Sequence, residues 1–272
     1  MRINQNIMAF NAYRNLTMTD KQLGASLEKL SSGFRINRAA DDAAGLVISQ
    51  ALRAQVSGLR VASRNAQDGI SVVQTAEGAL TEVHTMLNRM RDLAVQAANT
   101  GSNDATATAA AQAEIDALSS EITRISQQTK FGAQSLLDGG FAKQFQIGSN
   151  AGEVLTVSLG TSLNASALGV SALSVGTAGV ASAAISAIDS AIATVSSTRA
   201  SLGAFQNRFN SVINNTQVAT ENLAAAESRI RDTDMALEMV SFTRHQILLQ
   251  AGTAMLGQAN QSPQSVLRLI QQ

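Results

Sequence analysis

The sequence predicts a mainly α protein, a long antiparallel helical bundle or coiled coil with a small β-hairpin and helical arms at both ends. Three observations predict it. Apolar residues recur at alternating steps of three and four along most of the 272 residues. The only proline is Pro263, so nothing before it breaks a helix through a missing donor and a ring clash. The chain is 45% hydrophobic but only 3% aromatic, with no Trp and abundant Ala, Ser, Leu and Gln, which suits close-packed helices better than aromatic-rich sheets or ligand pockets.

The first arm carries Leu16, Leu23 and Leu30 at heptad spacing, with Leu27 and Phe34 on adjoining positions. This seam stops at Ser31-Ser32-Gly33, where glycine suits a left-handed helix cap. Asp41 and Asp42 stand where the next helix begins and favour its positive end; beside two arginines they read as a cap rather than an acid–base dyad. The stripe that follows runs Leu52, Val56, Leu59, Ala62, Ala66, Ile70, Val73, Ala76, Leu80, Val83, Leu87, Met90, Ala94 and Ala97. A helix over that span is roughly 85 Å long at 1.5 Å per residue, so other helices must cover it.

Thr100-Gly101-Ser102-Asn103 predicts a break, Asp104 a cap, and Ala111, Ile115, Leu118, Ile122 and Ile125 a shorter third helix folding back on the second. The period then changes to two: Phe145 and Ile147 alternate, Ser149-Asn150-Ala151-Gly152 turns, and Leu155, Val157 and Leu159 alternate again, predicting a hairpin near 141–160. Residues 160–179 are rich in Gly, Ser and Thr and read as an exposed loop. Helical spacing resumes from Ile185 to Ile230. After a joint at Asp232-Thr233-Asp234, Leu237, Val240, Ile247, Ala251 and Ala254 predict the apolar face of a final arm.

Several classes of function are disfavoured. Twenty basic and twenty acidic residues leave no surplus charge for nucleic acid or an anionic membrane surface. The uncharged run from Val154 to Ile188 is too rich in Ser, Thr, Gly and Asn to predict a bilayer span. With no Cys, and with His84 and His245 far apart, no metal site is expected. Phosphate-cradling glycine loops and the GxSxG nucleophile pattern are missing, so neither a cofactor nor catalysis is expected. The first residues, MRINQNIMAFNAYRNL, lack the apolar run and cleavage site of an ordinary signal peptide. Ile7, Phe10 and Met18 lie off the first arm's seam, and pairing the two arms leaves them uncovered, which predicts self-association.

The segments MRINQNIMAFNAYRNL, LEKLSSGFRINRAADDAAGLVIS, RNAQDGISVVQTAEGAL and LNRMRDLAVQAAN resemble the N-terminal region of bacterial flagellins. ESRIRDTDMALEM and ANQSPQSVLRLIQQ resemble the C-terminal region of the same family, in the matching order. The resemblance implies a structural subunit that polymerises into the flagellar filament; the competing reading is a hook–filament junction protein. It implies that arms 1–43 and 233–272 pair as an inner core around which 44–232 forms a tube domain, with no outer domains. It further implies no enzymatic activity and export through the flagellar secretion channel without a cleaved signal peptide. The implied partners are further copies of the chain, the flagellar cap and hook-junction proteins, and an export chaperone on the C-terminal arm. Many flagellins are also recognised by Toll-like receptor 5, and the matching positions here are Arg89, Leu93 and Gln96, with Glu114 on the third helix, while Asn88 and Asp92 stand where strongly stimulating members have Gln and Glu. The residues expected to carry polymerisation are Leu16, Leu23, Leu27, Leu30, Leu237, Val240, Ile247 and Ala251.

Overall fold

A computed structural model describes residues 5–99, 101 and 104–270, with side chains described as far as residue 261. Of the expected break, Thr100, Ser102 and Asn103 lie outside the described residues, as do the first four residues and the last two. The elements are α1 (Ile7–Ser32), α2 (Ala43–Ala98), α3 (Ala105–Gln128), β1 (Lys130–Phe131), β2 (Gln134–Ser135), β3 (Phe141–Gln146), β4 (Val154–Leu159), α4 (Ala178–Arg231) and α5 (Met235–Ile270). They divide into two compact units, residues 55–221 and residues 1–54 with 222–272.

In the larger unit the expected α2 stripe is the core face: Val73, Ala76, Leu80, Val83, Leu87, Met90 and Ala94 are buried. α4 runs antiparallel to it. Glu77 pairs with Arg199 and Arg91 with Asp189, so the contacts descend α4 as they ascend α2. α4 is long and apolar enough to cross a membrane by length and composition. Its Ala181, Ala184, Ile188, Ala191 and Val195 are buried in the core of this unit, as in an alanine-rich packing helix. α3 is capped by Asp104, whose Oδ1 accepts the Ala107 N–H at 2.7 Å. It contributes Ala111, Ile115 and Ile122 to the same core.

β3 and β4 form the expected antiparallel hairpin, in register from Phe141 opposite Leu159 to Gln146 opposite Val154. Leu155, Val157 and Leu159 face inward while the residues between them are exposed, as a period of two requires. The small β1–β2 pair was not foreseen; the chain after it buries Leu136 and Leu137 completely. The exposed loop expected over 160–179 is a correction as well. Leu163, Ala165, Leu168, Val170 and Val175 are buried in the core. Gln112 on α3 clamps this segment, donating to the Leu173 carbonyl at 2.8 Å and accepting the Val175 N–H at 2.9 Å. The segment is therefore irregular in backbone but anchored.

In the smaller unit α1 and α5 pack antiparallel. The Asn6 amide donates to the Ala259 carbonyl at 2.8 Å near one end, and Thr233 N–H donates to the Gly33 carbonyl at 3.0 Å at the other. Gly33 takes φ 75° at the end of α1, the left-handed cap expected there. Asp42 caps α2 by accepting the Gly45 N–H at 2.9 Å. Asp41 instead closes the preceding turn, accepting from the backbone of Arg38 and Asn37; these two bonds hold its carboxyl below its ordinary value. Asp234 caps α5 through Ala236 N–H and Leu237 N–H.

Candidate functional site

The spacing of half-buried positions identifies the surface on which each arm rests. On α1 the half-buried positions include Ala9, Ala12, Leu16, Thr19, Leu23 and Leu30, with Ser26 buried, and near its end Glu28, Lys29 and Ser32 as well. On α5 they are Glu238, Ser241, Phe242, His245, Leu249, Gly252 and Leu256, with Ala259 buried. Along most of their length both series step by three and four, the spacing of a two-helix seam.

Of the residues expected to drive polymerisation, Leu16, Leu23 and Leu30 lie in this seam within the chain. Leu27 is 56% exposed, Leu237 67%, Val240 60% and Ile247 64%, and Ala251 is exposed too. α5 therefore carries two apolar faces, and the spacing read from sequence picked the one that its own chain leaves open. Leu237, Val240, Ile247, Ala251 and Met255 lie roughly a third of a turn from the seam at 3.6 residues per turn. α1 has an open face as well, with Ile7, Phe10 and Met18 on the side turned away from α5. Full burial of one such side chain is worth about 1.5–3 kcal/mol. A handful per copy approaches the ~4–15 kcal/mol that association costs in lost freedom.

Where α1 gives way to α2 and α4 to α5, the two connections are tied together. Arg35 N–H donates to the Arg231 carbonyl at 2.6 Å, and Phe34 bridges Asp232. The Phe34 ring has the Arg231 guanidinium 4.3 Å from its centroid and the Arg53 guanidinium 5.9 Å away. Arg53 is held by Glu227 at 2.8 Å. Such cation–π contacts contribute about 0.5–2 kcal/mol each, more as they are desolvated. Sequence reasoning assigned Phe34 to the α1 stripe and missed this node, because its partners lie far along the chain and no local spacing signals them.

The expected receptor-facing residues are not all on one surface. Arg89 and Glu114 form an exposed two-pronged ion pair between α2 and α3, at 2.7 and 3.2 Å, and the Glu114 carboxylate raises the Arg89 pKa by hydrogen bonding and then by charge. Gln96 is exposed on the same side of α2. Leu93, expected to share their receptor-facing surface, is only 4% exposed and belongs to the core. It sits on the flank between Arg89 and the core stripe and belongs to the core cluster that also holds Ala111 and Ile115 of α3.

Among the described residues there is no group of three or more His, Cys, Asp or Glu side chains placed to hold a metal ion. What the arms offer is apolar surface.

Comparison with known proteins gives the same direction from both ends of the chain. Residues 3–142 match the bacterial flagellin N-terminal helical region and residues 185–270 the bacterial flagellin C-terminal helical region. The chain is 48% identical to the flagellin of Bacillus subtilis (strain 168), covering 99% of this chain and all of that one. It is 52% identical to the flagellin of Halalkalibacterium halodurans, again over 99% of this chain and all of that one. Among solved structures, Bacillus cereus flagellin superposes with a TM-score of 0.51 at 33% identity, covering 60% of this chain and 94% of that one.

Proposed function

Because the chain belongs to the bacterial flagellin family, we propose that the open apolar faces of α1 and α5 are the surfaces through which it polymerises. The protein is a structural subunit of the flagellar filament, an extracellular assembly of many copies. The observation that carries the assignment of the faces is the second stripe of α5. Leu237, Val240 and Ile247 are exposed in a chain whose other α5 stripe is already occupied by α1. In this reading residues 1–43 and 233–272 build the inner core of the filament and 44–232 the tube around it.

The remaining parts of the proposal follow from the family and from the chemistry of the arms. The chain works without catalysis or a cofactor. It leaves the cell through the flagellar secretion channel, and an export chaperone covers the apolar α5 arm until a neighbouring copy does so. The cap and hook-junction proteins contact it at the filament ends. Arg89, Gln96 and Glu114 supply the polar surface for Toll-like receptor 5, while Leu93 supports that surface from beneath.

Deleting residues 233–272 tests the central claim. The expected product keeps the circular dichroism of a helical protein and sediments as a monomer under conditions in which the parent chain forms filaments visible by electron microscopy. Filaments from the shortened chain would overturn it.

A further inference from the structure

Resting on the filament-subunit reading, we infer that the thioether of Met255 is an oxidative modification site: a peroxide converts it to the sulfoxide in the free chain, and a chain so modified is excluded from the filament. The sequence has eight methionines and no cysteine, so thioethers are its only oxidisable sulfur. Met1 lies outside the described residues, and the fold sorts the others. Met90 is completely buried in the core of the larger unit, and Met86 packs half-buried against that core. Met8, Met18, Met235, Met239 and Met255 are all exposed, and all of them are on α1 and α5. An oxidant in water therefore meets the arms first, because susceptibility of a thioether follows its exposure.

Met255 is the one of these that stands on the open apolar stripe of α5. Its side chain is 63% exposed. It also lines a cavity of about 400 Å³ between α1 and α5, beside Leu16, Leu248 and Ala251, which donate no side-chain hydrogen bond. The polar side chains there, Asn15 and Thr19, are on the α1 wall, and the Thr19 hydroxyl already donates to the Asn15 carbonyl at 3.0 Å. The sulfur is thus open to water now and set in apolar surroundings that a neighbouring copy would close.

The reaction needs only the peroxide. Its O–O bond breaks as the sulfur lone pair forms an S–O bond; the thioether is oxidised to the sulfoxide, and hydrogen peroxide is reduced to water. The flexible apolar side chain becomes a polar one with a strong acceptor oxygen. In the free chain water solvates that oxygen. When a second copy covers the stripe, the oxygen loses its water and the α5 side supplies no side-chain donor in exchange, so assembly is weakened. The converse also holds: a copy already in the filament has its Met255 covered and is protected. Oxidation therefore acts before assembly, on copies still free.

The test sorts chains by assembly. Free chain is treated with hydrogen peroxide to a mean of about one sulfoxide per chain, at a dose that leaves Met90 unoxidised and the circular dichroism unchanged. The peroxide is removed, the chain is polymerised, and filaments are separated from unassembled chain by pelleting. Mass spectrometry of digests then gives the sulfoxide fraction at each methionine. Met255 sulfoxide should be at least ten-fold more abundant in the unassembled fraction than in the pellet, and methionine sulfoxide reductases should return that fraction to pelletable filaments. An equal share of Met255 sulfoxide in both fractions overturns the inference. In the reverse order, peroxide added to finished filaments should oxidise Met255 at least ten-fold more slowly than in free chain, and equal rates overturn it as well. Failure of untreated chain to form filaments counts instead against the filament-subunit reading.

Discussion

Gly69 sits in the middle of α2, where alanine would ordinarily favour the helix by about 1 kcal/mol. Here a Cβ would stand 2.4 Å from Phe209 Cζ, with Cε1 and Cε2 at 2.8 and 2.9 Å. Phe209 is fully buried and packs edge-on to Phe145 of β3, ring centroids 5.5 Å apart at 84°. The ring is thus enclosed by α2 and the hairpin and has little room to retreat. Overpacking of this kind costs about 1–3 kcal/mol. Gly69→Ala in the parent chain should therefore leave stability unchanged or lower it by up to about 2 kcal/mol, once the ~1 kcal/mol of helix preference is subtracted. Phe209→Leu removes Cζ, Cε1 and Cε2, the atoms in the way, at less than the ~3–5 kcal/mol of a full truncation. In that background the same Gly69→Ala change should stabilise by up to about 1 kcal/mol. The double-mutant cycle, read from guanidinium unfolding followed by circular dichroism, should give a coupling of about 1–3 kcal/mol with an unchanged denaturant slope. An equal effect of Gly69→Ala in both backgrounds would refute the close approach.

Leu93→Ala should destabilise the chain by about 2–5 kcal/mol, as a buried leucine does. Arg89→Ala should leave thermal stability nearly unchanged, because its ion pair is exposed and screened. In a binding assay with the receptor ectodomain, Arg89→Ala should lower affinity roughly ten-fold or more, and parent-like binding would remove Arg89 from the proposed contact. Phe34→Leu takes the ring from between Arg231 and Arg53 while keeping an apolar side chain. Hydrogen exchange should then quicken at Arg35 and Thr233, whose N–H groups tie the two connections, and unchanged protection there would show that the backbone bonds alone hold them. The Glu153 carboxylate accepts from the Asn150 side chain and backbone, which hold its pKa below the ordinary glutamate value. A lowered folded value means that its contribution is complete above the ordinary carboxylate range and is lost as pH falls through the lowered pKa. NMR titration should show Glu153 protonating below the exposed glutamates, with the 149–153 turn loosening in step; titration at the ordinary value would contradict the geometry.

What was legible in the sequence was whatever obeys one period over many residues. The α2 stripe is such a case: each step of three or four adds evidence, and Val73 to Ala94 are buried where the pattern puts them. The hairpin was legible for the same reason at period two. The segment after it was not. Leu163, Ala165, Leu168, Val170 and Val175 have no regular spacing and lie among Gly, Ser and Thr, so composition suggested exposure. Their burial is accompanied by Gln112, more than sixty residues before the Leu173 carbonyl and Val175 N–H that it satisfies in place of water. Leu93 was misplaced for a related reason: periodicity gives the direction a side chain points on α2 but not how far round the helix the core reaches, and Leu93 is buried within it.

The open face of α5 carries the argument furthest, because there the period reports two answers at once. Phe242, Leu249 and Leu256 form one apolar stripe, and Leu237, Val240, Ile247 and Met255 form another, so apolar residues occupy well over half of the helix circumference. A helix apolar nearly all round belongs in a core, yet α1 covers only one side. A monomer in which α1 and α5 were simply a two-helix strut would be expected to place polar residues on the second stripe, as its exposed cost is uncompensated. The sequence instead keeps Leu, Val, Ile and Met there, and it keeps Ile7, Phe10 and Met18 on the far side of α1. In the proposed reading, burial of these faces is supplied by another molecule, the next copy of the subunit. On this account polar substitution on the second stripe, Val240→Asn and Ile247→Asn together, should leave the helicity of the monomer intact and raise the concentration needed for filament growth by more than ten-fold. The paired change Leu249→Asn and Leu256→Asn should instead weaken the α1–α5 pairing in the monomer. If both pairs reduced monomer helicity equally, the two stripes would not have the separate roles that their exposure assigns them.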